Sequence, residues 1–183
     1  MPMTTIDELF EHNLKDMYGA EQRLLEALDE MTSETIDADA RKAFQQHRKE
    51  TQNQIKRLDR VFKSLDMKAE AQPCPGLEGL IKEKKSLSKE KPSDEILSFY
   101  NLHAAQKVER YEITAYEGLI EAAEHLGLDE AVKQLSQNLE EEEATLNKLK
   151  ALASEYDVED LRSQEEGEEE EEMATVGGRR RRS

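Results

Sequence analysis

Hydrophobic residues recur along most of the chain at alternating spacings of three and four, the period of a helix with one buried face. Phe10, Leu14, Met17, Leu24, Leu28 and Met31 form the first such stripe. Thr5, Asp7 and Glu8 precede it in the pattern of a capping box, with two acids suited to the positive end of the helix dipole. Polar residues 32–37 close the stripe, and Asp37 or Asp39 can cap a second helix. That helix carries Phe44, His47, Glu50, Gln54 or Ile55, Leu58 and Phe62 on one side. So short a connection makes the first two helices antiparallel.

Residues 66–92 break the pattern. Pro73, Pro75 and Gly76 cannot sit inside a helix, while Leu77, Leu80 and Ile81 suggest an amphipathic turn or two before a lysine-rich run to Pro92. The segment is long for a loop in a compact domain and sufficient to cross the length of a helical bundle. Ser93, Asp94 and Glu95 then cap a third long helix running to Leu126. Gly127 suits the position after its end, and Asp129 caps a fourth helix with Leu135, Leu139, Leu146 and Leu149 on its seam. Two hairpins joined by one long crossover predict an all-α, ferritin-like antiparallel four-helix bundle over residues 1–158.

From Glu159 the apolar pattern stops. Residues 159–183 hold nine acids and five arginines, a net −4, and are expected to be a disordered tail. The whole chain, 183 residues, carries −16 and is 37% charged with only 8 glycines and 4 prolines, a composition that favours helices. That charge argues against nucleic-acid binding, because phosphate contacts need a basic face. The single Cys74 excludes an intramolecular disulfide and fits a reducing compartment. No basic leader precedes an apolar run, and no run approaches the ~20 residues of a membrane span. The expected location is the cytoplasm.

The stripes have interruptions of one kind. Glu21, Glu109, Glu112 and Glu142 stand where apolar residues belong, and His47 and Glu50 share a face on the second helix. An unpaired carboxylate inside a core costs several kcal/mol. Height along the helices is a sharper test. Glu21 lies ten residues before Met31, and His47 and Glu50 lie ten and thirteen after Asp37. Glu112 lies fourteen before Leu126, and Glu142 thirteen after Asp129. At ~1.5 Å per residue each hairpin brings its polar residues to one level within about a turn.

Five carboxylates and one imidazole suit Fe or Mn more than Zn, and roughly two divalent ions balance the charge. The expected cofactor is therefore two Fe ions, with Mn or a mixed pair as alternatives. Tyr18 and Tyr111 are expected as hydrogen-bond partners of the ligands. Met17, Phe44 and Tyr116 read as plain core, and Cys74 as incidental.

These residues resemble a known family. The segments LKDMYGAEQRL (14–24), HRKET (47–51) with Arg57 and Leu58, CPGLEGL (74–80), VERYEI (108–113) with Tyr116, and LEEEE (139–143) are similar to the YciE/YciF family of ferritin-like stress proteins. The resemblance covers about residues 4–155. It implies a four-helix ferritin-like domain, often dimeric, with a mid-bundle metal site and links to stress. Two departures stand out. Arg110 occupies a position where family members often have His. Ferritins and rubrerythrins carry Glu-x-x-His on two helices, whereas here Asn53 follows Glu50 and Thr145 follows Glu142 at the third place.

The leading expectation is a dinuclear carboxylate protein that oxidises Fe(II) with O2 or peroxide. Glu21 and Glu112 would be terminal ligands, Glu50 and Glu142 bridges, His47 a nitrogen ligand, and Glu109 a terminal ligand or a carboxylate just outside. The competing expectation is a non-enzymatic structural or interaction bundle whose metal site is structural or vestigial and only staples the helices. A homodimer is expected in either case.

Overall fold

A computed structural model describes residues 2–157, 159, 161 and 162. The described residues form five helices and no strand: α1 Ile6–Glu34, α2 Ala38–Ser64, α3 Pro75–Ser88, α4 Asp94–His125 and α5 Asp129–Ser154. The described residues up to Ala153 make one compact unit, and those from Ser154 onward belong to a second. In the second unit Arg162 lies 3.5 Å from Glu159. The acidic run and the terminal arginines at 163–183 lie outside the described residues.

Local chemistry sets the helix ends. The Glu8 amide donates to Thr5 Oγ1 at 3.2 Å and the Thr5 amide to Glu8 Oε2 at 3.1 Å, a reciprocal capping box. Asp37 accepts from the Ala40 amide at 2.7 Å, and Ser93 from the Ile96 amide at 3.3 Å. Gly127, at φ +68°, ends α4. Its amide donates to Glu124 O and that of Leu128 to Ala123 O, the paired bonds of a Schellman turn. Asp129 is the first residue of α5 rather than its cap; the Val132 amide closes onto Leu128 O.

Hydrogen bonds and ion pairs fix the register of the four long helices. Tyr18 with Asp59 and Arg48 with Asp29 make α1 and α2 antiparallel. Tyr116 with Glu21 and Asn101 with Thr35 do the same for α4 and α1. Tyr116 with Asn138 and Gln106 with Leu149 O order α4 against α5. Arg57 with Glu141 and Arg60 with Gln134 order α2 against α5. Between these helices lies the core, with Phe10, Leu14, Met17, Leu24, Phe44, Leu58, Phe62, Leu102, Leu119 and Leu135 nearly or fully removed from solvent.

The crossover holds more helix than its sequence suggests. In place of a turn or two, α3 runs for 14 residues. Pro75 stands at its first position, where a missing amide costs nothing and the fixed φ is already helical. The stretch before it is strapped to α1: the Gln72 amide donates to Lys15 O at 3.2 Å and its side-chain Nε2 to His12 O at 2.8 Å. A Cβ on Gly19 would lie 2.0 Å from Gln72 O, so glycine permits the approach. Farther on, the Lys84 ammonium is buried against Glu34, with Glu30 Oε1 at 3.5 Å. α3 therefore returns along α1 from its first half to its end, where α4 begins.

Candidate metal centre

The interruptions of the apolar stripes are carried by four helices. Glu21 (α1), Glu109 and Glu112 (α4) and Glu142 (α5) are each 0% exposed, and His47 (α2) is 2% exposed. Glu109 and Glu112, three apart on α4, sit on one face, as the helical period requires. His47, Glu109, Glu112 and Glu142 each offer a ligand atom, and these four atoms lie within 4.8 Å of one another. His47 Nε2 is 3.0 Å from Glu109 Oε1.

Little in the protein satisfies these groups. Both oxygens of Glu109, Glu112 and Glu142, Oε2 of Glu21 and both nitrogens of His47 are buried without a hydrogen bond among the described residues. Buried polar groups are otherwise paired almost without exception. The acids respond to burial and to each other. Burial pushes Glu109 up to about 8; its close contact with Glu142 opposes, and the charges of Glu21 and Glu50 add to the rise. Burial raises Glu112 well above the usual carboxylate range, followed by Glu21, Glu142 and Glu109. Glu142 is raised by burial and then by Glu109, with His47 opposing. Glu21 is raised by burial and by Glu142, and a hydrogen bond from Tyr116 opposes. Carboxylates packed this closely cannot all ionise without a cation between them. A hard donor set of oxygens with one imidazole fits Fe(II) or Mn(II).

Other predicted site residues stand elsewhere. Glu50 is half-buried: its Oε1 accepts from Gln46 Nε2 at 2.8 Å and its Oε2 from Thr145 Oγ1 at 3.4 Å. Neither predicted tyrosine bonds a carboxylate of the cluster. The Tyr18 hydroxyl donates to Asp59 Oδ1 at 2.8 Å, and Tyr111 Oη lies 3.0 Å from the buried Cys74 Sγ. The tyrosine at the centre is Tyr116, whose hydroxyl donates to Glu21 Oε1. Its stripe position announces a core ring, and the ring is fully buried. Its hydroxyl was the available signal, because a buried phenol needs a polar partner.

The family described as "Domain of unknown function (DUF892)" matches residues 5–161. Protein YciF of Escherichia coli (strain K12) is 40% identical over 154 residues, covering 84% of this chain and 93% of YciF. The chain belongs to the YciE/YciF family. Among solved members of similar fold, the crystal structure of the E. coli stress protein YciF superposes with a TM-score of 0.79 at 40% identity, covering 82% of this chain and 96% of that one. YcfI from Rhodopseudomonas palustris, described as a candidate structural protein, gives 0.79 at 41% identity over 80% of this chain and 94% of its own. Like the family resemblance, these place the buried acids in an all-helical YciF fold. Among the described residues no helix is long and apolar enough to cross a membrane.

Proposed function

We propose that the four long helices form a ferritin-like bundle whose centre holds two Fe ions, with Mn or a mixed pair as alternatives, and that the protein oxidises Fe(II) with O2 or peroxide during stress. The observation that carries this reading is the set of seven carboxylate oxygens and two imidazole nitrogens buried without a hydrogen bond, the His47–Glu109 contact aside, with His47, Glu109, Glu112 and Glu142 converging on one point. His47, Glu109, Glu112 and Glu142 would hold the first ion. Glu21, with one oxygen unpartnered, and Glu50, after release from Gln46 and Thr145, would complete a second position. A metal pair supplies a place for the oxidant to bind and two electrons to reduce it. The protein's own residues exclude bulk water with the apolar layers around Leu24, Leu102 and Leu119, and they fix the donors on rigid helices. The stress role follows the description of the E. coli relative as a stress protein.

A second reading is favoured by one feature: among the described residues four donors converge, and Glu50 is bonded away from them. A single ion would then staple the helices without turnover. Elemental mass spectrometry of the purified protein, beside Glu112→Ala/Glu142→Ala, separates the two. Near two Fe or Mn per chain, lost in the variant, supports the dinuclear centre and makes peroxide-driven Fe(II) oxidation the next assay. One tightly held ion without Fe(II) turnover supports the staple. A wild type that stays metal-free after anaerobic Fe(II) overturns both.

A further inference from the structure

From the surface to Glu21 runs a chain of hydrogen bonds with a fixed direction. Arg57 on α2 forms a two-pronged pair with Glu141 on α5, Nη1 to Oε2 at 2.8 Å and Nη2 to Oε1 at 2.5 Å. The same Nη1 donates to Asn138 Oδ1 at 2.9 Å. Asn138 Nδ2 donates to Tyr116 Oη at 2.9 Å, and the Tyr116 hydroxyl donates to Glu21 Oε1. The Arg57 side chain is 16% exposed and that of Glu141 30% exposed; Asn138, Tyr116 and Glu21 are 0% exposed.

A guanidinium only donates, so the oxygen of Asn138 must face it. The amide nitrogen is thereby turned toward the phenol. Its second contact, to Gln54 O at 3.5 Å, is also to an acceptor, which favours the same orientation. The phenol oxygen accepts from Asn138, and its single hydrogen is left for Glu21. One carboxylate oxygen of Glu21 is therefore occupied and the other, Oε2, remains without a partner in the buried centre.

We propose that Arg57, Asn138 and Tyr116 are positioning residues that present Glu21 to a metal as a one-oxygen ligand through Oε2. The inference rests on the metal-centre reading above and extends it to residues that touch no ion themselves. The ion pair with Glu141 anchors the chain at its outer end. Three helices, α2, α4 and α5, thus combine to set the orientation of a ligand on the fourth. Partners that orient a ligand typically alter metal affinity by about 10–100-fold when removed.

The test is titration of the metal-free full-length protein with Co(II), followed by its visible absorption, with Tyr116→Phe and Asn138→Leu as variants. Phe keeps the ring that fills the core, and thermal melts of the metal-free variants confirm folding. The expected result is about tenfold weaker binding of the second Co(II) equivalent, the one Glu21 would hold, in Tyr116→Phe, with an altered visible spectrum because both oxygens of Glu21 become free to coordinate. Asn138→Leu should weaken binding less, and the double variant should bind no more weakly than Tyr116→Phe, since Asn138 acts through the phenol. Were Tyr116→Phe to fold poorly, Asn138→Leu alone should still lower affinity. Wild-type affinity and spectrum in both folded variants overturn the positioning role while leaving the metal centre standing. A folded wild type that takes up no second Co(II) removes the position Glu21 would serve, and the positioning role falls with it; one that takes up none overturns the centre as well.

Discussion

Glu112 shows what one buried acid does to this protein. Both of its oxygens are unpartnered, and burial first, then Glu21, Glu142 and Glu109, hold it well above the ordinary carboxylate range. Without metal at neutral pH, the native state must either carry a charge in a core or retain a proton the unfolded chain has released. Glu112→Gln removes that choice with little change in shape. Expected is a metal-free protein more stable at pH 8 by on the order of 1–3 kcal/mol, measured by urea unfolding, together with lost retention of Fe(II) or Mn(II). A variant less stable than wild type, both metal-free, would contradict the burial argument. Much of this was legible in the sequence, because Glu21, Glu109, Glu112 and Glu142 each break a stripe that is otherwise apolar. Glu50 was not legible in the same way. A stripe position says where a Cβ points, while Gln46 and Thr145 decide where the carboxylate turns. Tyr116 escaped because its partner Glu21 lies 95 residues away in sequence.

At the scale of elements, caps and turns carried the long helices and the crossover hid the fifth. Thr5, Asp37, Ser93 and Gly127 are local signals, and the structure uses each where its chemistry suggests. α3 was obscured because Pro75 and Gly76 read as breakers, and Lys84 falls in the lysine-rich run that masks the helical stripe. In the fold Pro75 opens the helix, and Lys84 is buried through ion pairing with Glu34 on α1. Gly76 meets the ring of Tyr111, where a Cβ would stand 2.5 Å from Cε2. Two glycines test this account in opposite directions. Gly19→Ala would drive a methyl into the Gln72 carbonyl, and should destabilise by about 1–3 kcal/mol as the strap is pushed off α1. Gly79→Ala, inside α3 with open space around its Cβ, should stabilise by about 0.5–1 kcal/mol through helix propensity alone. Chemical denaturation reads both; equal effects at the two sites would show that the strap does not bear on α1.

For the whole molecule, the metal and the pH dependence of stability are one question. Glu109 is pushed up to about 8 by burial, against an unfolded value near 4.5. Between those values the native state holds a proton that the unfolded chain has lost, so stability is greatest below about pH 4.5 for this group and falls as pH rises through 8. The slope from one such group is about 1.4 kcal/mol per pH unit within that window. Glu21, Glu112 and Glu142 are shifted in the same direction, while Glu8 and Glu30 are shifted down and lose their contribution only in acid. Metal-free protein should therefore become easier to unfold from pH 5.5 to pH 8, the reverse of what paired surface acids give. A divalent ion changes the sign of the problem, because the ionised carboxylates then have their partner in place and binding is linked to folding. With Mn(II) in excess the same pH series should flatten or rise. Urea midpoints across the series, with chelator and with Mn(II), measure both arms. If the two series coincide, the acids at the centre of these helices are not gathered around a cation site, and their burial must serve packing specificity instead.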